Sequence, residues 1–325
     1  MLQAPPLTNV GIRLPNSGPF AEAANILRIA RRAEDLGFGR VWVHDHLSWP
    51  DEKLTHFALG SIEACSGQDP NFFESIATCA FLLGRLERIH VGIAGLVMPL
   101  RDPRVLAKQL AALDHLAGSR LLVACAIGAV VDDFEAMDVP FNRRGRLTNE
   151  YLAALREALF GGRSAFFSGD TLNFGGTFLP SARNVPLWIT GSSEPGLRRV
   201  LKYGDGWLTV YQSPDSYSDL VDQLNSLAQE VARDVTTLAR GYETYVCVGP
   251  TMEEAIQSAT NSLQSKFESI ERGLDVCMIG TAIDVVDKMS QYRERGVTEF
   301  EVKLIAHDLE QAEWMMSEIS QALDS

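Results

Sequence analysis

The chain has 325 residues, 46% of them hydrophobic, enough for one large buried core and compatible with either two ordinary domains or a single barrel. A formal net charge of −13 and a pI near 5.0 argue against nucleic acid and against anionic membrane surfaces as partners. The five cysteines form no CxxC pair and are odd in number, which reads as free thiols in a reducing, cytoplasmic setting.

Short apolar strands alternate with amphipathic helices from end to end. VGIRL (10–14) is a strand, followed by a helix with Ile26, Ile29, Ala30, Ala33 and Leu36 on one face and a stop at Gly37. RVWVH (40–44) is the second strand. After a longer polar loop, a helix runs from about Phe72 to Leu83. IHVGIAGLVM (89–98) is the third strand, and its helix opens with Asp102 placed to cap and Pro103 at the first helical position. RLLVACAIGA (120–129) precedes the helix NEYLAALREALF (149–160). AFFSGDTLNF (165–174) reads as an inserted hairpin turning at Ser168-Gly169-Asp170. PLWITG (186–191), GWLTVY (206–211), YETYVCVG (242–249) and EFEVKLI (299–305) complete the strands, with an extra helix at about 281–295.

This is eight strand–helix units without a composition break, which predicts an α/β fold: a single (β/α)8 TIM-type barrel with insertion segments at its C-terminal mouth. Strands buried on both faces account for non-alternating runs such as LLVACAIGAVV. Cys125 and Cys247, in apolar runs, read as small buried hydrophobes. The N-terminal MLQAPPLTNV has no basic-then-apolar signal pattern, and the longest apolar run, Leu121 to Val131, is too short to span a bilayer, so no membrane association is expected.

The stretch VWVHDHLSWP (41–50) ends a strand at the face where barrel chemistry sits. His44 and His46, two apart, share a strand face and could be metal ligands, but two imidazoles do not complete a site. His56 falls in a loop, His90 at the far end of the third strand and His115 within a helix; only His307, beside Asp308, lies at the correct end. A metal-dependent hydrolase barrel is therefore a weak alternative, and no metal is expected. No GxGxxG turn follows the first strand and no GxxxxGK[ST] occurs, so a nucleotide fold has no support. In WITGSSEPGLRRVLKYGDGW (188–207), a strand ends at Gly191 and Ser192-Ser193 lead into a helix, which suits a phosphate at the helix N-terminus. Ser193 acting only as a helix cap is an equally good account of this motif.

Taken together, GIRLPNSGPF, RRAEDLGFGRVWVHDHL, RDPRVLAKQLAALDHLAGSRLLV, FEAMDVPFNRRGRLTNEYLAALREAL, GSSEPGLRRVLKYGDGW and GTAIDVVDKMSQYRERGVTEFEV resemble the luciferase-like monooxygenase family, most of all its F420-type branch. The resemblance covers residues 8–325 and leaves 1–7 as an N-terminal extension. It implies a ring cofactor, coenzyme F420 or FMN, lying across the barrel mouth. It implies His46 as the catalytic histidine facing ring and substrate, with Asp45 as its companion and His44 as a core or supporting residue. It also implies a non-proline cis peptide at Ala94-Gly95 behind the ring and a phosphate at Gly191-Ser192-Ser193, with Leu14, Ala126 and Gly128 completing the cofactor contacts. A homo-oligomer, a dimer first, and a small organic substrate are further implications.

Two departures stand out. Ala129 replaces a glutamate that serves as an acid in the F420-dependent sugar-phosphate dehydrogenases, which makes that activity doubtful and raises the alternative of a degenerate barrel that binds a flavin-like ligand without turnover. Ser213 stands near the place of a phosphate-binding lysine, whose part Arg198, Arg199 and Lys202 could take unless they form a solvated helix face. The loop from Leu47 to Asn71, with Trp49, His56 and Phe57, is expected to cover the mouth.

Overall fold

The computed structural model describes residues 9–48 and 71–324. The N-terminal extension and Trp49, His56, Phe57 and Cys65 lie outside the described residues. Among the described residues, eight parallel strands close into a barrel: β1 (Val10–Arg13), β2 (Arg40–Val43), β3 (His90–Val97), β4 (Leu121–Ala126), β5 (Leu187–Thr190), β6 (Gly206–Val210), β7 (Ala239–Val248) and β8 (Glu299–Leu304). Neighbours in sequence pair in space all the way round, and β8 pairs with β1 to close the ring. Registers such as Gly11↔Arg40, Arg40↔His90 and Gly241↔Glu299 set Gly11, Arg40 and His90 side by side near the lower rim. The β3–β4 ladder slips between Ala94 and Leu96, a bulge at the predicted cis bond, and Ala94-Gly95 is cis.

The described helices are α1 (Ala23–Asp35), α2 (Ser75–Leu83), α3 (Pro103–Ala117), α4 (Val131–Ala136), α5 (Arg144–Phe160), α6 (Glu194–Tyr203), α7 (Pro214–Glu230), α8 (Met252–Lys266), α9 (Ile270–Val276), α10 (Ala282–Glu294) and α11 (Leu309–Leu323). Their ends follow local chemistry. The Asp102 side chain accepts from Arg104 N with Pro103 at the first helical position, and α3 stops at Gly118 in the left-handed region (φ 63°). Thr281 and Asp284 form a reciprocal capping box on α10. None of the described helices is long and apolar enough to cross a membrane.

Alternation along the strands divides the core in two. Outward residues such as Val10, Ile12, Val41, Val43, Phe300 and Val302 pack beneath the helices in the main cluster. Inward residues form a separate cluster in the lower lumen, built on Trp42 and Trp188, whose rings lie 6.1 Å apart. Four glycines make room for the two indoles. A Cβ on Gly11 or Gly92 would come within 2.3 or 2.2 Å of Trp42, and one on Gly206 or Gly241 within 2.4 or 2.5 Å of Trp188. Below them Arg40 lies over both indoles, 5.2 Å from Trp42 and 5.9 Å from Trp188, and pairs with Glu299. The N-terminal end of the lumen is thereby plugged, and a cavity opens above the plug.

The predicted hairpin is present as Ser164–Ser168 against Asn173–Thr177. A short strand, Met278–Gly280, was not predicted; it adds outside the ring to the end of β7. The predicted helix at 149–160 begins five residues earlier, at Arg144.

Candidate active site

A cavity of about 410 Å3 opens at the C-terminal mouth, with residues from β1 to β5, β7 and β8 in its walls. A larger cleft of about 530 Å3 lies at the opposite end, outside the tryptophan plug. That cleft is at the wrong end of a barrel for chemistry, and two of its cations are already neutralised, Arg40 by Glu299 and Arg156 by Asp205.

Chain direction brings His44, Asp45 and His46 together just past β2, and all three line the mouth cavity. Their surroundings separate them. His44 is buried, its backbone clasped by Asn16 through two bonds and its Nε2 2.6 Å from Ser17 Oγ. Burial, with the positive charges of Arg13 and Lys303 adding to it, holds the His44 pKa well below the ordinary histidine value, so His44 is a neutral supporting residue at neutral pH. His46 Nδ1 lies 2.5 Å from Asp133 Oδ2. The other Asp133 oxygen accepts the Leu47 and Ser48 amides at 3.0 and 2.8 Å, so the carboxylate acts as acceptor and Nδ1 as donor. Phe72 packs edge-on against both imidazoles, at 4.9 Å from His44 and 5.5 Å from His46.

Asp45 corrects one expectation. Its carboxylate does not orient His46; it is occupied by Arg101 at 2.6 Å on each oxygen, by Ser75 Oγ and by Val97 N. Arg101 also reaches Glu74 at 2.9 Å, so Asp45 ties the ends of β2 and β3 to the start of α2. The carboxylate that serves His46 is Asp133, from α4, four residues beyond Ala129.

The remaining predicted contacts divide similarly. Ala94, Gly95, Ala126 and Gly128 line the cavity with Ala129 and Thr190. They form a wall of small residues, tight enough that a Cβ on Gly95 would meet Ala126 Cβ at 3.0 Å and Thr190 Cγ2 at 3.1 Å. Gly128 has φ 82°, and a Cβ there would meet Phe134 at 2.6 Å. Such a wall fits a planar ring. Leu14 does not line the cavity; it is fully buried in the main core, and its neighbour Arg13 points inward instead. A strand alternates faces, so an off-by-one choice exchanges core for lumen.

Gly191 (φ 121°), Ser192 and Ser193 lie exposed at the start of α6, beside the cavity residue Thr190. Ser193 stands at the N-cap position without a side-chain capping bond, so capping is not what its hydroxyl does. Trp207 Nε1 fixes the Gly191 carbonyl at 2.7 Å. A hypothetical Cβ on Gly191 finds nothing closer than Gly196 Cα at 3.9 Å, leaving an open cradle of two hydroxyls at a helix N-terminus. Glu194 in the first turn opposes an anion there, but it pairs with Arg198 at 2.8 Å. Arg198 is thus a surface ion-pair residue, also paired with Glu230. Arg199 is buried against Asn149, Lys202 lies over Tyr203, and Ser213 caps α7.

Sequence reasoning missed the cavity floor. Arg13, Glu243, Glu301 and Lys303, from β1, β7 and β8, form a buried charge cluster: Arg13 pairs with Glu301 and lies 3.6 Å from Glu243, and Lys303 pairs with Glu243. Arg13 Nη2 also donates to the Ala94 carbonyl at 3.0 Å, tying the floor to the small-residue wall. Lys303 Nζ donates to Tyr211 Oη at 2.8 Å. Burial works against the Glu243 charge, but Lys303 and Arg13 outweigh it and hold this carboxyl below its ordinary range. Glu301 is raised to about 8, because burial outweighs the pull of Arg13 and the negative charge of Glu243 adds to the rise. The available signal was charge at inward strand positions in segments otherwise apolar, such as Glu301 and Lys303 in EFEVKLI.

No group of three or more metal-ligating side chains occurs among the described residues. His307 pairs with Ser258 Oγ on the surface.

Comparison with known proteins agrees with this geometry. An uncharacterised protein of Mycobacterium tuberculosis is 27% identical over 217 residues, covering 63% of this chain and 72% of that protein. A solved F420-dependent secondary alcohol dehydrogenase, in complex with an F420-acetone adduct, superposes with a TM-score of 0.81 at 17% identity, covering 98% of this chain and 99% of that one. The FMN-bound oxygenating constituent of 3,6-diketocamphane monooxygenase from Pseudomonas putida superposes with a TM-score of 0.74 at 14% identity, covering 97% of each chain. The profile of the luciferase-like monooxygenases matches residues 7–273, and the chain belongs to that family of flavin- and F420-dependent oxidoreductases.

Proposed function

We propose that this chain is an F420-dependent oxidoreductase acting on a small organic substrate, with His46 as its proton-transfer residue. The observation that carries the reading is the His46–Asp133 pair at the mouth cavity, opposite a wall of small residues. F420 supplies a two-electron hydride carrier at a carbon centre, whereas reduced FMN would open a route to oxygen chemistry. The names of two matches support F420: the alcohol dehydrogenase above and a 5,10-methylenetetrahydromethanopterin reductase of Methanolobus tindarius, 24% identical over 69% of this chain and 60% of that protein.

The residues divide the work. Ala94, Gly95, Ala126 and Gly128 are the wall that would hold a planar ring, and Ser192 and Ser193, beside Gly191, would be the donors for its phosphate. Asp133 fixes the His46 tautomer with the proton on Nδ1, so proton exchange with a substrate hydroxyl or carbonyl oxygen runs through Nε2. When substrate is oxidised, Nε2 takes the hydroxyl proton; in the reverse direction it returns it.

Two assays test the reading. Fluorescence titration with F420 and with FMN should show tighter binding of F420. A panel of secondary alcohols should then support F420 reduction, measured by the loss of its visible absorbance. Oxygen uptake with reduced FMN, and none of the F420 reactions, would establish monooxygenation instead.

A further inference from the structure

The cations around the mouth cavity have carboxylate partners, with one exception. Arg13 pairs with Glu301, Lys303 with Glu243, and Arg101 with Asp45 and Glu74. Arg144, the first residue of α5, also lines the cavity, and among the described residues its guanidinium forms no ion pair. It lies 3.8 Å over the Phe141 ring and donates once, to the Phe141 carbonyl at 3.0 Å, while its Nε is buried without a partner.

The position is also costly for a cation. The positive end of a helix dipole favours acids, yet the first turn of α5 has none, and the N-cap is itself Arg143. An arginine kept half-buried, without an ion-pair partner among the described residues and at the wrong end of a helix, calls for an anion. A planar guanidinium backed by an aromatic ring offers two parallel donors to a carboxylate.

We propose that Arg144 is a specificity-determining residue and that the substrate carries a carboxylate, which Arg144 binds at the mouth. The inference rests on the reading of this cavity as the cofactor and substrate site. The cofactor phosphate is assigned to Gly191-Ser192-Ser193 at the start of α6, so Arg144 is left to the substrate; a selective loss of F420 over its tail-less deazaflavin in Arg144→Gln would assign it to the carboxylates of the cofactor tail and overturn the proposal.

Benzoate and its neutral isostere benzamide serve as probes, titrated calorimetrically into the protein with and without FMN or F420. Wild type should bind benzoate at least about tenfold more tightly than benzamide, a difference of about 1.4 kcal/mol. Arg144→Gln should abolish that preference and Arg144→Lys should retain part of it. Both variants should bind FMN and riboflavin with the wild-type ratio. Equal binding of the two probes by wild type, binding of neither, or an unchanged preference in Arg144→Gln overturns the proposal. So does a selective loss of FMN over riboflavin in Arg144→Gln, which would assign the residue to the cofactor. Failure of F420 and FMN to bind at all is read separately from their own titrations and bears on the cofactor assignment, since the probe preference is also measured on protein without cofactor.

Discussion

The two ends of the barrel lumen solve opposite problems with the same inward strand positions. At the lower end, Trp42 and Trp188 fill the space left by Gly11, Gly92, Gly206 and Gly241, and Arg40 with Glu299 closes the exit. At the upper end the inward residues are Arg13, Ala94, Ala126, Glu243 and Lys303, which leave a cavity and surround it with charge. Close packing at one end fixes the ring geometry, and that allows costly buried charges to be held in place at the other. Residues of the plug should therefore govern stability, and residues of the mouth should govern rate and binding.

The sharpest test of that division is Trp188→Ala, which removes half the plug. It should cost about 3–5 kcal/mol of stability by denaturant unfolding, while the protein that remains folded keeps its cofactor affinity. Loss of cofactor binding without loss of stability would place Trp188 in the functional half. His46→Ala is the mirror experiment. Turnover should fall about 10² to 10⁴-fold, with the unfolding midpoint nearly unchanged and cofactor affinity changed much less than rate. Equal rates would remove the proton-transfer role.

A smaller effect crosses the division. His44 is buried and neutral in the folded protein, its pKa lowered first by burial and then by Arg13, while in the unfolded chain it titrates near 6.5. The unfolded state then binds more protons than the folded state as pH falls below about 6.5. Stability is thus fully present above that pH and declines below it, by at most about 1.4 kcal/mol per pH unit. His44→Asn should flatten this part of the stability–pH profile, and an unaltered slope would show that His44 charges in the folded state. The smallest expected effect is at Ser193→Asp. Aspartate is a good helix cap, so stability should hold or rise slightly, while FMN should weaken relative to riboflavin by about 1 kcal/mol at low salt. An unchanged ratio would move the phosphate elsewhere.

Most of the fold was legible because alternation of strand and helix is a local signal. All eight barrel strands, the Asp102-Pro103 helix start and the hairpin can be read in stretches of ten or so residues. The short strand at 278–280 could not, since three apolar residues are too few to show a period. The site was half legible for the same reason. His46 announces itself at a strand end, but its carboxylate is 87 residues away, at the start of α4, where an acid also reads as an ordinary helix-start residue. Asp45 was the nearer candidate and the wrong one for that task, because adjacency in sequence says little about which way a loop carboxylate turns. The Arg13–Glu301 pair spans 288 residues and exists only because the ring closes β1 against β8.

Asp133 does more than hold an imidazole. Its second oxygen accepts the amides of Leu47 and Ser48, while its first faces His46. One carboxylate thus sets both the direction of the imidazole and the course of the backbone that follows it. A change at position 133 would release the two together, so the ring could not be loosened without also loosening its own strand end. For an engineer reshaping the mouth, Asp133 is the residue to leave in place.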